Sequence, residues 1–378
     1  MGDINIGLVG SGNISKIHIL GLKAMDIIFD DIDVKHNFKG ICTRSGVDKF
    51  GIFDYATDDL NELLEDKSIN MVDICTPNFL HLEQGSKAIR ADKNIYMEKP
   101  IAKNLAEGEK LVELCKSKDV INQVALMYRF VPSVVMAKDY IRDGKLGEIL
   151  NFRVTLYHKG YLNEERPISW RLKNDKSGGG ALMDLGIHMA DLVRFLLGEV
   201  KDVRGRTSTY FKERYKDSSL TEKVSADVDE WALLDINLKN GGYGTLEVSR
   251  ISSDITEDTV FEVYGTKGKL KISTDHMDYP EIFLHDKGHL LKGELERTSD
   301  FSKYHKSIFP SAKFDMGWNL NAHMSSLINF ILNIKQNKIV HSETPTLEEG
   351  LKSQKIIEMG YISAREGNRV VKSDEILL

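Results

Sequence analysis

The sequence has few cysteines and lacks long apolar runs. Only three cysteines occur among 378 residues, Cys42, Cys75 and Cys115, and their odd number and wide spacing fit neither a disulfide framework nor a zinc motif. We therefore expect a reducing compartment, the cytoplasm. No apolar run approaches the roughly 20 residues that span a bilayer, and no basic and apolar regions of a signal peptide precede the first predicted strand. A membrane partner is not expected.

The charge balance argues against a nucleic-acid partner. The formal net charge is −6 and no block of five or more basic residues occurs, whereas nucleic-acid-binding proteins present a basic surface to phosphates. Hydrophobic residues make up 41% of the sequence and charged residues 29%, which is typical of a globular protein with a buried core. At this length we expect two domains or one large one.

The first third of the chain alternates short apolar runs with helical patterns. The predicted strands are Ile4–Val9, His36–Cys42, Met71–Cys75, Asn94–Met97 and Val120–Met127, and the predicted helices are Ile14–Met25, Leu60–Leu64, His81–Ala91 and Leu105–Lys118. This alternation predicts an α/β fold in which residues 1–130 form a doubly wound parallel sheet with helices on both faces.

The pattern changes after about Arg129 into long strand-like runs with few helices. The predicted strands are Ile149–His158, Val200–Phe211, Asp229–Leu238, Tyr243–Ile251, Thr259–Tyr264 and Leu270–Ser273, and the predicted helices are Val134–Asp143, Asp184–Leu197, Leu320–Asn337 and Leu347–Arg365. Residues 131–378 are thus expected to form an α+β domain with a large, mostly antiparallel sheet, whose last helix, 347–365, could pack back on the first domain. A sheet face left bare indicates self-association, so we expect a homodimer or homotetramer formed through this sheet.

A glycine-rich turn follows the first predicted strand and opens the first predicted helix. Gly10 suits the tight turn, and Gly12 lets a pyrophosphate approach the backbone and the free N–H groups of the helix start. Ser15, a small residue, stands where a third glycine is usual. This context predicts a dinucleotide-binding turn formed by Gly10, Ser11, Gly12, Asn13 and Ile14.

The end of the second predicted strand bears on the choice of cofactor. An acid at this position would hold the ribose of NAD, but the sequence has Thr43 and Arg44 there. A hydroxyl beside a guanidinium suits a 2′-phosphate, which favours NADP over NAD. The alternative is that Arg44 stacks on adenine, as an arginine can with either cofactor.

Five motifs occur in order along the chain. They are Gly10-Ser11-Gly12 with His18, Thr76-Pro77-Asn78 with His81, Glu98-Lys99-Pro100, Tyr128-Arg129-Phe130, and Trp170-Arg171 followed by Gly178-Gly179-Gly180, Asp184, Gly186, His188 and Asp191. With this ordered set the sequence resembles the Gfo/Idh/MocA oxidoreductases, the glucose–fructose oxidoreductase and inositol dehydrogenase group, over nearly its whole length. The resemblance implies a Rossmann domain followed by an open-faced β-sheet domain that often oligomerises through its sheet.

The resemblance also implies roles for individual residues. Lys99 resembles the lysine beside the nicotinamide that contacts the reacting hydroxyl, His188 the catalytic histidine, and Asp184 the acid that binds a neighbouring substrate hydroxyl. The positions matching those that contact the cofactor are Thr76, Pro77, Asn78, His81, Glu98 and Arg129, and those matching the mouth of the substrate site are Trp170 and Arg171. For His81 and for His18, packing within the fold is an equal alternative.

The residue types suit hydride transfer. An alcohol that loses hydride must also lose its hydroxyl proton, and an imidazole with a pKa of about 6.5 accepts protons near neutral pH. Asp184 and His188 are four residues apart, so on a helix they share one face. Lys99 offers positive charge where negative charge develops on oxygen. No metal site is expected, because no metal-ligand spacing is found among seven further histidines, His158, His276, His285, His289, His305, His323 and His341.

The predicted function is an NAD(P)-dependent dehydrogenase or reductase acting on a CH–OH group of a small polar substrate, a sugar, inositol or related polyol. Two alternatives use the same scaffold. One is an NAD(P)-binding regulatory sensor without catalysis, which would not need Lys99, Asp184 and His188 together. The other is an NAD-dependent enzyme that cleaves glycosides and retains its cofactor.

Overall fold

The computed structural model describes residues 3–376, which form two units that are each discontinuous in sequence. The first unit comprises the residues up to Ala102, Ala106–Phe130 and Lys303–Leu351; the second comprises Lys103–Leu105, Val131–Ser302 and the residues from Lys352 onward. This division differs from a single boundary after residue 130. Residues 303–351 belong to the first unit. The helix 347–365 is divided, because its residues up to Leu351 belong to the first unit and its remaining residues to the second.

The first unit alternates strands and helices up to residue 130. Its elements are β1 (Ile4–Val9), α1 (Asn13–Ile28), β2 (His36–Cys42), β3 (Tyr55–Thr57), α2 (Leu60–Glu65), β4 (Met71–Ile74), α3 (Asn78–Arg90), β5 (Asn94–Met97), α4 (Leu105–Lys116) and β6 (Asn122–Val124). Every strand pair is parallel, and the strand order is β3-β2-β1-β4-β5-β6. The order reverses between β1 and β4, as in doubly wound nucleotide-binding sheets.

The remaining elements follow a short 3₁₀ turn at Met127–Phe130. They are α5 (Pro132–Arg142), β7 (Ile149–Tyr157), α6 (Asn174–Ser177), α7 (Ala181–Asp184), α8 (Gly186–Leu197), β8 (Val200–Ser208), β9 (Glu213–Tyr215), β10 (Lys223–Ser225), β11 (Trp231–Leu238), β12 (Tyr243–Ser249), β13 (Asp258–Gly265), β14 (Gly268–Ser273), β15 (Glu281–Leu284), β16 (Gly288–His289), α9 (Asp300–Ile308), α10 (Trp318–Gln336), α11 (Leu347–Arg365) and β17 (Val371–Lys372).

The second unit contains a nine-stranded sheet in the order β16-β15-β14-β13-β7-β12-β11-β8-β17. All its strand pairs are antiparallel except β7 with β12. Along β11 every second residue is buried, and α8 packs on β7 and β12. This alternation is typical of a sheet with one covered face and one face open to solvent. The predicted α/β class, with a parallel sheet followed by a mostly antiparallel one, is confirmed.

Helix α10 completes the first unit by packing against α1. A Cβ on Gly21 of α1 would lie 3.2 Å from Cα of Met324, so glycine at this position allows the two helices to approach closely. Ser326 of α10 bonds to the hydroxyl of Tyr96 at 2.8 Å and accepts from the amide of Gln123 at 2.9 Å, both buried. Within residues 3–376, no helix is both long enough and apolar enough to cross a membrane.

Candidate active site

Three neighbouring strands of the first unit end at one edge of the sheet. The turn Gly10–Gly12 follows β1, Thr76–Asn78 comes shortly after β4, and Glu98–Pro100 follows β5 directly. Because β1, β4 and β5 are adjacent and parallel, motifs far apart in the sequence meet at the carboxyl edge beside the reversal of strand order. Doubly wound sheets bind nucleotides at this position.

The glycine turn leaves open space at the start of α1. Gly10 has φ +99°, and a Cβ there would lie 3.0 Å from the carbonyl oxygen of Cys75, so glycine is required. A Cβ on Gly12, the N-cap of α1, would have nothing within 4 Å. Ser15 is buried and donates its hydroxyl to the Gly12 carbonyl at 2.6 Å, so the serine does not occupy this space. The helix start fits a dinucleotide pyrophosphate.

The end of β2 has one buried and one exposed polar residue. The Thr43 hydroxyl accepts from the Val47 N–H at 3.2 Å, and its backbone N–H donates to the Thr57 carbonyl at 3.0 Å. Thr43 thus shapes the loop after the strand. Arg44 next to it is exposed, so its guanidinium is the group of this pair that can reach a ligand.

His81 joins two of the turns at the carboxyl edge. Its Nε2 lies 2.8 Å from the Thr76 carbonyl and its Nδ1 lies 2.8 Å from the Pro100 carbonyl. The ring is fully buried, and burial lowers its pKa although both carbonyl contacts favour the protonated form. His81 therefore holds the two turns that match cofactor-lining positions.

Glu98 turns its carboxylate into the fold. Its Oε1 lies 3.3 Å from Nε2 of His18, and its Oε2 accepts from the backbone N–H of Lys99 at 3.2 Å. Burial raises the pKa of Glu98, but the neighbouring His18 outweighs this effect and lowers it to about 2. Glu98 is thus an anion that fixes the backbone at Lys99. The Lys99 side chain is partly exposed, and the peptide bond between Lys99 and Pro100 is cis.

His18 lies inside the first unit. Its Nδ1 donates to the two carboxylate oxygens of Asp73, at 2.9 and 3.1 Å. Burial lowers the pKa of His18, but Asp73 raises it well above its usual value. Of the two alternatives weighed for His18, these contacts support packing within the fold.

Arg129 belongs to the 3₁₀ turn that follows β6. Its side chain is buried and donates to the Glu343 carbonyl at 3.2 Å and to Oε2 of Glu349 at 3.1 Å. Through these contacts Arg129 holds both the segment before α11 and the first turn of α11 in the first unit.

In the second unit, the triple glycine lies against Asp229. The Asp229 carboxylate accepts from the N–H of Gly180 at 2.8 Å, from the N–H of Leu182 at 2.7 Å and from the Tyr361 hydroxyl at 2.7 Å. A Cβ on Gly180 would lie 1.8 Å from the Asp229 carbonyl oxygen, so a side chain there is excluded. Asp229 thus caps the start of α7, as a local N-cap residue would.

Asp184 and His188 lie on two short helices rather than one. The predicted helix Asp184–Leu197 is interrupted at Leu185, because Asp184 ends α7 and Gly186 begins α8. Leu185 keeps φ −94° and ψ −43°, and the N–H of His188 donates to its carbonyl at 3.2 Å. The interruption is therefore a tightened turn of 3₁₀ type, and the chain continues as a helix on both sides of it.

A buried guanidinium holds the Asp184 carboxylate. Nη2 of Arg250 lies 3.1 Å from Oδ2 of Asp184 and 2.8 Å from the Gly180 carbonyl oxygen. The Arg250 side chain is 1% exposed and that of Asp184 is 26% exposed. The ion pair thus orients an ionised carboxylate whose outer part can accept a hydrogen bond from a ligand. His188 is buried.

Trp170 and Arg171 form a short 3₁₀ turn in the second unit. The Arg171 guanidinium lies 4.4 Å from the centre of the Trp170 ring, and its side chain is exposed. An exposed guanidinium stacked on indole is suited to a ligand with hydroxyl groups.

Comparison with known proteins gives the family. A family model for "Oxidoreductase family, NAD-binding Rossmann fold" matches residues 4–126, and one for "Oxidoreductase family, C-terminal alpha/beta domain" matches residues 138–372. The chain belongs to the Gfo/Idh/MocA oxidoreductase family. The resemblance that the five motifs predicted is thereby confirmed for nearly the whole chain.

Sugar and inositol dehydrogenases are among its relatives. Levoglucosan dehydrogenase of Pseudarthrobacter phenanthrenivorans is 30% identical over 336 residues, which cover 84% of this chain and 86% of the relative. Myo-inositol 2-dehydrogenase of Thermotoga maritima is 26% identical over 380 residues, covering 99% and 100%. A solved structure of levoglucosan dehydrogenase in complex with NADH and L-sorbose has a TM-score of 0.88, with 29% identity and 99% of each chain covered.

Two polar residues of this Gfo/Idh/MocA protein were not foreseen from the sequence. Arg250 and Asp229 support the segment that contains Asp184, yet both lie outside the five motifs. The available signal was weak: Arg250 is a single charged residue at the end of the alternating strand β12, and Asp229 precedes β11 in a polar stretch. Their partners are distant in sequence, so spacing could not identify the pairs.

Proposed function

We propose that this protein is an NAD(P)-dependent dehydrogenase or reductase that acts on a secondary hydroxyl or carbonyl group of a sugar, inositol or related polyol. The observation that carries the proposal is the position of Lys99, at the same carboxyl edge as the glycine turn after β1. Both named relatives are dehydrogenases of polyhydroxylated compounds, which supports the substrate class.

The cofactor fits the residues at this edge. The open space at Gly12 and the uncovered N–H groups from Ser11 to Ile14 would hold the pyrophosphate. Thr76, Pro77 and Asn78 would line the adjoining part of the site. When bound, NAD(P) supplies the group that accepts or gives the hydride.

The residues proposed to act on the substrate are Lys99, His188 and Asp184. His188 takes the hydroxyl proton as the carbonyl forms, and Lys99 stabilises the negative charge that develops on that oxygen. Asp184, oriented by Arg250, accepts a hydrogen bond from a neighbouring substrate hydroxyl. Trp170 and Arg171 contribute to the substrate mouth.

The test is a panel of inositols, aldoses and ketoses, assayed by the absorbance of reduced cofactor with NAD and NADP in parallel. With an active substrate, His188→Ala should lower turnover by about 10²–10⁴-fold while NADH binding persists. His285→Ala, at an exposed histidine of the second unit, is the matched control and should keep full turnover. Unchanged turnover in His188→Ala would refute the assignment.

The same experiment separates the two alternative functions. A regulatory sensor would bind reduced cofactor yet turn over no compound of the panel. A glycoside-cleaving enzyme would retain its cofactor through purification and consume a glycoside without releasing reduced cofactor.

We further propose a preference for NADP. The end of β2 offers no acid for the ribose of NAD, and Arg44 is exposed there. Arg44→Ala should raise the KM for NADP more than the KM for NAD, whereas Lys49→Ala, at an exposed lysine of the same loop, should change neither. An equal effect of Arg44→Ala on both cofactors would instead indicate stacking on adenine.

We infer a cytoplasmic protein that forms a homodimer or homotetramer through the nine-stranded sheet. Tyr243 and Tyr264 both pair with Asn151 from opposite sides of β7, and they are 60% and 38% exposed on the open face. Tyr243→Asp should therefore dissociate the oligomer in light scattering. Ile27→Asp, at an apolar residue of α1 that is 78% exposed, should leave the mass unchanged.

A further inference from the structure

Three polar side chains of the first unit converge in its interior. One nitrogen from each of His18 and His323 and one carboxylate oxygen of Glu98 all lie within 4.8 Å of one another. All three residues are buried, with 0%, 6% and 7% of their surface exposed for His18, His323 and Glu98. We call this group the inner histidine site.

The atoms that face one another at this site lack hydrogen bonds. Across residues 3–376, Nε2 of His18, Oε1 of Glu98 and Nδ1 of His323 form no hydrogen bond of regular geometry, although the first two are an ion pair at 3.3 Å. Buried polar atoms are nearly always satisfied by protein, water or an ion. An ion pair without a regular hydrogen bond, on two residues that cluster with His323, whose Nδ1 also has none, therefore points to a bound species.

Close packing of two helices builds the site. His18 is on α1 and His323 on α10, where the absence of a side chain at Gly21 lets Met324 approach. The two imidazole rings are 5.6 Å apart between centroids as a result. Glu98 reaches the same place from the end of β5.

The donor set matches that of a zinc-type ion, and so does the distance between two of the donors. Zn²⁺ takes nitrogen and oxygen ligands at about 2.0–2.2 Å, so two ligand atoms of a tetrahedral site lie about 3.3–3.6 Å apart. The distance between Nε2 of His18 and Oε1 of Glu98 is 3.3 Å. Two imidazoles with one carboxylate also form a known three-ligand zinc set with one open position.

Hydrogen bonds to the far sides of two ligands complete the arrangement. Nδ1 of His18 lies 2.9 Å from the Asp73 carboxylate, which leaves Nε2 as the ring nitrogen that faces the site. Metal-binding histidines commonly have such a carboxylate behind them. Oε2 of Glu98 is fixed by the Lys99 N–H at 3.2 Å, which leaves Oε1 to face inward.

We propose that the inner histidine site binds one divalent transition-metal ion of the zinc type through Nε2 of His18, Oε1 of Glu98 and Nδ1 of His323. Binding replaces any proton on Nε2 of His18, and that proton leaves to solvent. The sequence expectation of no metal site rested on local ligand spacing, whereas these ligands come from three distant elements. Because Glu98 also holds the backbone of Lys99, the ion would brace the residue proposed to stabilise the substrate oxygen.

The test is a Co²⁺ titration of the purified, chelator-treated protein, followed by visible absorption until it no longer changes. We expect the visible absorption bands of tetrahedral Co²⁺ to saturate at one ion per chain and to disappear when Zn²⁺ is added. Metal analysis of protein expressed in zinc-containing medium should show one Zn²⁺ per chain. Asp73→Asn should weaken Co²⁺ binding by about 10–100-fold. His323→Leu should abolish the bands, and His276→Leu, at an exposed histidine outside the site, should keep them.

Two results would overturn the proposal. One is wild-type protein that shows neither Co²⁺ bands nor zinc after growth with the metal, which would mean that water alone occupies the site. The other is a folded His323→Leu variant, checked by circular dichroism, that binds Co²⁺ as tightly as wild type. Should His323→Leu not fold, the wild-type titration and the Asp73→Asn affinity decide the question. None of these readouts uses enzymatic activity, so failure of the proposed function would leave this test intact.

Discussion

Replacing Arg250 by methionine is expected to destabilise the second unit and to lower turnover. Methionine keeps the length and apolar character of the side chain. It removes the guanidinium, which contacts Asp184 at 3.1 Å, the Gly180 carbonyl at 2.8 Å and the Arg171 carbonyl at 3.5 Å and lies 4.8 Å from the centre of the Tyr161 ring. The Asp184 carboxylate then loses the group that orients it toward the proposed substrate.

The magnitude follows from how deeply each partner is buried. Breaking a fully buried ion pair costs about 3–5 kcal/mol, but the Asp184 side chain is 26% exposed, so water recovers part of the loss. The Gly180 carbonyl loses this donor but still accepts from the N–H of Asp184 at 3.0 Å, so it adds little to the cost. We expect the free energy of unfolding to fall by about 2–4 kcal/mol.

Urea unfolding followed by circular dichroism measures this change, and hydrogen–deuterium exchange of residues 180–197 localises it. The matched control is Arg365→Met, whose partner Glu358 lies 3.1 Å away and whose own side chain is 63% exposed. A surface pair of this kind contributes about 0–1 kcal/mol. Adding Asp184→Asn to Arg250→Met should restore part of the stability, because the carboxylate that Arg250 neutralised is replaced by an uncharged amide. If Arg250→Met proves as stable as Arg365→Met and turns over substrate at the wild-type rate, the ion pair has neither role.

Three further outcomes follow from other contacts. Gly178→Ala should abolish soluble expression, since φ is +78° and the new Cβ would lie 1.6 Å from the Lys103 carbonyl oxygen. The control is Gly144→Ala, also at positive φ (+66°) but with nothing within 4 Å of the new Cβ, which should lower the free energy of unfolding by only about 1–2 kcal/mol, measured by thermal unfolding. His81→Phe should weaken NADH binding in a fluorescence titration by releasing the two turns that the imidazole joins, and an unchanged Kd would show that the turns need no such link. Burial raises the pKa of Asp48, but hydrogen bonds from backbone N–H groups of the following loop outweigh this effect and lower the pKa below its value in the unfolded chain. The Asp48 carboxylate therefore stabilises the fold above about pH 4, and this stabilisation is lost as the pH falls. Asp48→Asn should flatten the acid side of the pH–stability curve, and identical curves for variant and wild type would contradict this.

Regular elements with clear boundaries were predictable from the sequence. The strands Ile4–Val9, His36–Cys42 and Asn94–Met97 and the helix Leu347–Arg365 have the predicted ends, because apolar periodicity stops there at polar or glycine residues. The predicted strand Val120–Met127 is shorter, Asn122–Val124, since the chain begins to wind into a 3₁₀ turn at Met127.

Short or polar elements could not be predicted in the same way. β3, β9 and β10 have three residues each, too few for periodicity to show, and β9 and β10 lie in a polar stretch. At the candidate site, the sequence motifs identified residues directly before or after strands and helices, such as Gly10, Gly12 and Lys99. The sequence did not reveal that Arg250 pairs with Asp184, 66 residues away, because such a contact exists only once the sheet has formed.

The late contribution of α10 has a consequence for synthesis on the ribosome. Tyr96 and Gln123 lie on the parallel sheet, but both bond to Ser326, more than two hundred residues later. A nascent chain that has emerged only through Phe130 therefore has these polar groups and one side of α1 uncovered. Translation must proceed through Leu351 before the nucleotide-binding sheet can close its core, so the first unit stays incomplete until most of the second unit has also been made.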